Sequence, residues 1–171
     1  MRPSPETALL AAFGQLLVTR NIVASAQRGA RCKAGGLWGA SSALLLSTLA
    51  QEYQGTLLIL TADDVDSMML QMDLLAFGTK SHVLIREEEN DDGEVDTTTR
   101  GARQRALQQF AGDGAPLIAG VEAITQYVAT PRGLRRARLE LQVGQTLDRS
   151  QVLQRGQAAG LRSVPLVLAP G

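Results

Sequence analysis

The sequence predicts an α/β domain built on a parallel sheet, and two observations carry that prediction. Continuous apolar runs of strand length occur at "TLLILT" (56–61), "HVLI" (82–85) and "APLIAG" (115–120). Such runs are typical of strands that are covered on both faces, as in parallel sheets. Segments with a helical spacing of apolar residues separate the runs, and strands that alternate with helices indicate βαβ units.

The composition fits one domain of ordinary size, or one domain and part of another. The chain has 171 residues, of which 44% are hydrophobic and 4% aromatic, so we expect an aliphatic core. Because 17 Lys and Arg balance 17 Asp and Glu, no overall field attracts nucleic acid. The sequence has neither a signal-peptide pattern nor an apolar run of membrane-spanning length. We therefore expect a soluble, cytoplasmic protein with no membrane partner.

The chain holds a single cysteine and a single histidine. Cys32 excludes an internal disulfide and fits a reducing compartment, and we interpret it as a bystander thiol. We interpret His82 as a structural residue, because no second metal ligand or nucleophile has a suggestive position.

Two helices are predicted before the first strand. Residues 5–19 form an amphipathic helix with Pro5 in its first turn, and "NIVASA" (21–26) is a short strand or an extended link. Ser41 or Ser42 is predicted to cap the second helix, which ends at Gly55. Its apolar face is made of Leu44, Leu45, Leu49 and Tyr53.

The helix after the first strand is predicted to begin at Asp63 or Asp64 and to end at Gly78. Capping explains these two carboxylates more simply than a metal-binding acidic pair does. The helix carries an apolar stripe of Val65, Met68, Met69, Met72 and Leu75. A methionine-rich stripe can bind partners, but we expect this one to pack into the core.

An acidic segment, "EEENDDGEVD" (87–96), follows the second strand and is predicted to be a solvated loop. It lacks the spacing of a calcium loop, so we expect no metal there. Thr98 or Thr99 is predicted to cap the next helix. The apolar face of that helix is made of Ala102, Ala106, Leu107 and Phe110.

The pattern changes after the third strand, which places a domain boundary near Pro131 and predicts domains at 1–131 and 132–171. The strict alternation of "RLELQV" (138–143) indicates an antiparallel strand. Asp148 is predicted to cap a helix with Gln151 in a capping box. "SVPLVLA" (163–169) is predicted to be an edge strand, because its proline cannot donate to a ladder.

"GGLWGASSALLL" (35–46) has the glycines of a nucleotide-binding P-loop but not its lysine. In a P-loop, backbone N–H groups cradle phosphates, the lysine reaches them and a hydroxyl holds Mg²⁺. Serines occupy the Gly-Lys positions here, and Ala43 replaces the metal-holding hydroxyl. We predict a degenerate loop that is kept for folding and binds no cofactor. Its defining positions are Gly35, Gly36, Gly39, Ser41 and Ser42.

These segments, in this order, resemble the amino-terminal, UvrB-like region of bacterial transcription-repair coupling factors over about residues 36–171. "GLWGASSALLLSTLA" resembles the degenerate glycine loop of that family. "LELQVGQTLDRSQVLQRGQAAGLRSV" resembles the opening of its inserted domain, and "LQVGQTLDRSQVL" is the most specific part. The chain departs from the family where "IREEENDDGEVD" replaces a Pro-aromatic-Glu stretch and where Leu161 replaces an aromatic residue.

The resemblance implies a parallel-sheet, degenerate P-loop-like domain followed by the start of a small α+β inserted domain. In the family, the inserted domain recruits the scaffold subunit of nucleotide excision repair, UvrA. The candidate partner-binding residues are Arg135, Arg136 and Arg138, because arginine pairs bidentately with carboxylates. A full-length parent would be an ATP-dependent DNA translocase. It would use ATP and Mg²⁺ and would contact RNA polymerase and double-stranded DNA through parts absent here.

Three alternatives stay open. The chain is either a piece of a longer protein or a divergent stand-alone remnant. It could instead be a small protein that binds a phosphate ligand or a nucleotide through residues 35–42. The absence of a catalytic constellation near the loop argues against this function. The arginines that cluster with Arg132 could give weak, salt-sensitive contacts to nucleic acid, although a solvated basic face explains them more simply.

Overall fold

The computed structural model describes residues 5–89, 93, 96–137 and 142–158. The chain divides into two compact units, Met1–Tyr127 and Val128–Gly171. The described elements are α1 (Pro5–Gly14), α2 (Leu17–Gln27), α3 (Ser41–Glu52), β1 (Leu58–Thr61), α4 (Asp64–Ala76), β2 (His82–Leu84), α5 (Thr97–Asp113), β3 (Leu117–Gly120), α6 (Val121–Thr125), α7 (Pro131–Ala137) and α8 (Arg149–Ala158).

Three short parallel strands form the sheet in the described part of the first unit. Their order is β1-β3-β2, so the third of these strands along the chain lies in the centre. Ile118 of β3 is opposite Ile59 of β1 on one side and opposite Val83 of β2 on the other. The predicted α/β class with a parallel sheet is therefore confirmed, as are all three of the strands predicted within this unit.

Helices pack on both faces of the sheet. Alternate residues of a strand point to opposite faces, so neighbouring residues of β3 belong to different clusters. The face under α3 and α4 has a buried cluster of Ala43, Ile59, Leu74 and Ile118. The face under α5 and α6 has a buried cluster of Leu84, Leu117, Ala119 and Ala123. The first unit is thus a helix-sheet-helix sandwich with an aliphatic core.

The prediction that β1 is covered on both faces is wrong. Leu58 and Leu60 are 50% and 57% exposed, whereas Ile59 between them is buried. β1 is an edge strand of the described sheet, and α5 and α6 pack on β2 and β3. The side chains of β1 on that side consequently stay exposed to solvent.

The amino-terminal prediction of one helix at 5–19, followed by a short strand or an extended link, is also wrong. The chain forms α1 and α2, and the whole "NIVASA" segment lies inside α2. The two helices are separated at Leu16, whose backbone is extended. Thr19 and Val23 are buried in α2, so tertiary packing overrides the strand preference of its β-branched residues.

α4 has the predicted limits, but the predicted core packing of its stripe is wrong. Asp63 is the N-cap, and its carboxylate accepts a hydrogen bond of 2.8 Å from the backbone N–H of Asp66. Gly78, with φ of 74°, follows the helix end. The stripe of Val65, Met68, Met69, Met72 and Leu75 is 48 to 72% exposed. The side of α4 that faces the protein is made of Ser67, Leu70, Leu74 and Phe77.

The caps of α3 and α5 differ from the predicted ones by one to three residues. Ala40, rather than Ser41 or Ser42, is the N-cap of α3, and no side chain caps that helix end. α3 ends at Glu52, before the predicted Gly55.

Asp96, rather than Thr98 or Thr99, caps α5. Its carboxylate accepts hydrogen bonds from the backbone N–H groups of Thr98 (3.2 Å) and Thr99 (3.0 Å). These bonds hold the pKa of Asp96 below its usual value, because they favour the charged form. The predicted apolar face of α5 is confirmed, with Ala106 buried and Leu107 and Phe110 packed on the core.

The described part of the second unit holds the two helices α7 and α8. α8 begins after Asp148 as predicted, and the Asp148 carboxylate accepts a 2.9 Å hydrogen bond from the backbone N–H of Ser150. The hydroxyl and N–H of Ser150 lower the pKa of Asp148. The predicted strand at 163–169, and residues 138–141 of the predicted strand at 138–143, lie outside the described residues.

Candidate functional site

The glycine-rich loop joins two helices. It runs from the end of α2 to the start of α3, and residues 28–40 are exposed throughout. Gly36 and Gly39 have φ values of 73° and 54°, a region that favours glycine because it has no Cβ. A P-loop follows a β-strand, whereas α2 precedes this loop. The loop therefore lacks the strand that would aim it at a nucleotide.

The two serines of the loop lie in the first turn of α3. Both side chains are half-buried, and within the described residues the Oγ of Ser41 is buried without a hydrogen-bond partner. Lys33 is the cation nearest in sequence, and it lines a groove of about 310 Å³ together with Cys32 and Gly35. The loop offers backbone N–H groups and a helix N-terminus to an anion, but neither Ser41 nor Ser42 can supply the positive charge of the missing lysine.

The carboxyl edge of the sheet is the second place where an α/β fold binds ligands. The usual crevice lies between neighbouring strands whose following helices pack on opposite faces. Those strands are β1, followed by α4, and β3, followed by α6. A Cβ on Gly120 would lie 2.8 Å from the carbonyl carbon of Asp63. The backbones of Gly120 and Asp63 thus approach so closely that no side chain fits between them at this point of the crevice.

Side chains at the end of β1 bond to nearby groups of the same segment. The hydroxyls of Thr61 and Ser67 are 2.6 Å apart, and both lie within hydrogen-bond distance of the backbone carbonyl of Asp63. These contacts fix the turn between β1 and α4. Thr61 and Ser67 thus bond within the turn, whereas Oδ1 of Asp64, the first residue of α4, is buried without a hydrogen-bond partner among the described residues.

Arg86 contacts three carboxylates at this edge, those of Asp64, Glu88 and Glu122. Its backbone N–H donates to the Asp64 carboxylate at 2.9 Å, and its guanidinium lies 3.0 Å from Glu122 and 3.4 Å from Glu88. The hydrogen bond and negative charge of Glu122, with the charge of Glu88, raise the pKa of Arg86. All three of these ion-paired side chains are at least half exposed, so the pairs contribute little stability. They do engage the carboxylates of Glu88 and Glu122 at this edge.

Arg103 is a buried residue that the sequence analysis missed. Its guanidinium donates to the backbone carbonyls of Ile85, Ala123 (3.4 Å) and Tyr127 (3.5 Å). Burial lowers the pKa of Arg103, and the charges of Glu87 and Asp64 partly offset that effect. The available signal was its position three residues before Ala106 on the apolar face of α5. Arg103 thus links the segment after β2 to α6 and to the residues that follow α6, so its role is structural.

His82 is buried, and its imidazole lies 3.0 Å from both carboxylate oxygens of Asp113 at the end of α5. Lys80 contacts the same carboxylate at 2.7 Å. The hydrogen bonds from Lys80, Ala115 and His82 hold the pKa of Asp113 far below its usual value. The arrangement supports the structural interpretation of His82.

The acidic segment at 87–96 is described only in part. Glu87 and Glu88 take part in ion pairs with Arg100 and Arg86, and Asp96 caps α5. Among the described residues, no group of three or more His, Cys, Asp or Glu side chains is placed to hold a metal ion.

The predicted partner-binding arginines belong to the second unit. The positions of Arg135 and Arg136 lie in α7, as does that of Arg132, which is exposed. The side chains of Arg135 and Arg136, and the whole of Arg138, are outside the described part of the chain. Positions 132, 135 and 136 are spaced so that they share one side of a helix.

No protein-family model, no curated protein and no solved structure matches this chain. Within the described ranges, no one helix has the length and apolarity needed to cross a membrane, and only α1 and α2 taken together, with a bend of 79° between them, meet the criterion of length and composition.

Proposed function

We propose that this chain is a non-catalytic module of a transcription-repair coupling factor that recruits the excision-repair scaffold subunit UvrA to stalled transcription complexes. One observation of the geometry carries the non-catalytic part. The carboxyl edge of the sheet is closed by the contact of Gly120 with Asp63 and is bound up in the ion pairs of Arg86. Protein binding is then the function that best fits the chain.

The finer fold assignment is part of the same proposal. We take the first unit to be a degenerate P-loop-like domain and the second to be the start of the inserted domain, as the sequence resemblance implies. The three-strand parallel sheet supports the first half of this assignment at the level of class. The helix α8 with its Asp148 cap is compatible with the second half.

The recruiting surface is proposed to be the basic helix α7 with the residue that follows it. Arg135, Arg136 and Arg138 would face an acidic surface of the scaffold subunit, because a guanidinium binds a carboxylate through two parallel hydrogen bonds. ATP and Mg²⁺, RNA polymerase and double-stranded DNA would be partners of other parts of the parent protein. This chain itself would need no cofactor.

The experiment is a binding titration of purified UvrA with the chain and with an R135E, R136E double variant. We expect the double reversal to weaken binding at least tenfold. The thermal midpoint should not change, because glutamate favours a helix about as well as arginine does. An R28E, R105E variant is the control, because it makes the same charge change at exposed positions of the first unit. Equal weakening by both variants, or none by the first, would refute the proposed surface.

A phosphate-ligand or nucleotide-binding protein is the second candidate. The observation that favours it is an exposed loop with two left-handed glycines directly before the 12-residue helix α3. Backbone N–H groups at such a helix end attract anions. The absence of a lysine at positions 41 and 42 is the argument against it.

A further inference from the structure

The exposed stripe of α4 is an apolar surface of the first unit that does not pack on the sheet. Its five residues, Val65, Met68, Met69, Met72 and Leu75, recur over about three helical turns, or about 15 Å. Single exposed apolar residues are ordinary, but a contiguous stripe marks a site of interaction. Methionine side chains are flexible and polarizable, so they adapt to the shape of an apolar partner.

An acidic row runs along one flank of this stripe. Asp66 and Asp73 are seven residues apart, which places them on the same side of the helix, next to Met69. Neither carboxylate forms an ion pair with a residue in the described part of the chain. No Lys, Arg or His occurs from Ala62 to Thr79, a segment that holds four aspartates.

We propose that the α4 stripe binds the apolar face of a basic amphipathic helix. An amphipathic helix lays its apolar residues on such a surface with anchors at positions i, i+3, i+4 and i+7. Lysine or arginine on the flank of that helix would pair with Asp66 and Asp73, which have no competing cation on α4. A second copy of the chain fits less well, because it would bring a stripe with the same negative flank. The proposal does not depend on the recruitment of UvrA.

The probe is a fluorescent synthetic helix of about 18 residues, with leucine on one face and lysine on the other. We expect it to bind the full chain, and Met72→Lys to weaken binding at least about tenfold because a cation replaces a central apolar contact. Leu17→Lys is the matched control, since Leu17 is a 73% exposed apolar residue on α2. It should leave the affinity within about twofold of the unchanged chain.

Two further measurements test the charge complementarity. The double variant D66N, D73N should bind the lysine peptide several-fold more weakly, and its affinity should fall less between about 50 mM and about 500 mM salt. A peptide with glutamate in place of lysine should not bind. These changes are on exposed or half-exposed side chains, so circular dichroism and thermal midpoints should match those of the unchanged chain.

Four results would overturn the proposal. The first is that M72K leaves the affinity for the lysine peptide unchanged, or that L17K lowers it as much as M72K does. The second is that the glutamate peptide binds as tightly as the lysine peptide. The third is self-association in sedimentation experiments that M72K abolishes, which would make a second copy the occupant. The fourth is binding of zwitterionic phosphatidylcholine vesicles through the stripe, which would make the occupant a lipid surface.

Discussion

At the scale of the residue, buried polar side chains join parts of the chain that are distant in sequence. His82 at the start of β2 meets Asp113 at the end of α5, and Arg103 reaches three carbonyls beyond its own helix. The sequence could indicate that His82 is structural, because no second metal ligand or nucleophile has a suggestive position. It could not indicate the partners, because their meeting depends on how α5 crosses the sheet.

The Asp113 carboxylate gives a pH-dependent prediction. We expect Asp113→Asn to destabilise the chain by about 1 kcal/mol at neutral pH, because the contacts to Lys80 and His82 favour a charged acceptor. Folding lowers the pKa of Asp113. Its contribution is therefore present above the unfolded pKa of about 4 and declines as the pH falls towards the folded pKa.

Urea unfolding between neutral pH and about pH 3 measures this effect. The difference between the two chains should be largest at neutral pH and should shrink below about pH 4. Asp73→Asn is the control, because it removes the same charge from a carboxylate without an ion pair to the described residues. A difference that grows in acid would contradict the account.

The contact of Gly120 with Asp63 gives a second prediction at this scale. Gly120→Ala should destabilise the chain by about 2 kcal/mol or more, because the new Cβ would meet backbone atoms that cannot turn aside. Gly101→Ala on α5 has nothing within 4 Å of its Cβ, and it should stabilise the chain by up to about 1 kcal/mol. Thermal unfolding measures the stability change of both variants. Stability changes of the same sign in the two variants would be inconsistent with a closed crevice.

At the scale of the element, periodicity identifies which residues share a side but not which side is covered. α4 carries two apolar sides, and the one with Leu70, Leu74 and Phe77 packs on the sheet. The sequence pattern places the methionine-rich side in the core, and the structure leaves that side exposed. For β1, an unbroken apolar run predicted the strand correctly, but the edge position that exposes Leu58 and Leu60 depends on the strand order.

The unequal burial of the strands predicts unequal costs for the same kind of truncation. Ile118→Ala in β3 should cost about 3 kcal/mol, because Ile118 is fully buried between the two neighbouring strands. Leu60→Ala in β1 should cost less than about 1 kcal/mol, because more than half of that side chain is already in water. The two free energies of unfolding in urea are the measurement. Similar costs would mean that both faces of β1 are covered.

At the scale of the whole molecule, the alternation of strands and helices was enough to predict the parallel α/β class. The strand order and the helix before the glycine loop could not be predicted, because they depend on contacts between distant segments. The same holds for the site. That serine rather than lysine occupies positions 41 and 42 can be read from the sequence, whereas the closure of the crevice rests on the approach of Gly120 to Asp63.

We propose that this chain acts by binding protein and has no working nucleotide site. A titration of the purified chain with ATP and ADP in the presence of Mg²⁺, followed by thermal unfolding, tests that claim most directly, since a ligand that binds the folded state raises the midpoint. We predict no shift at millimolar nucleotide. A rise of several degrees would show that the loop at residues 35–42 still holds phosphate, and it would contradict the claim.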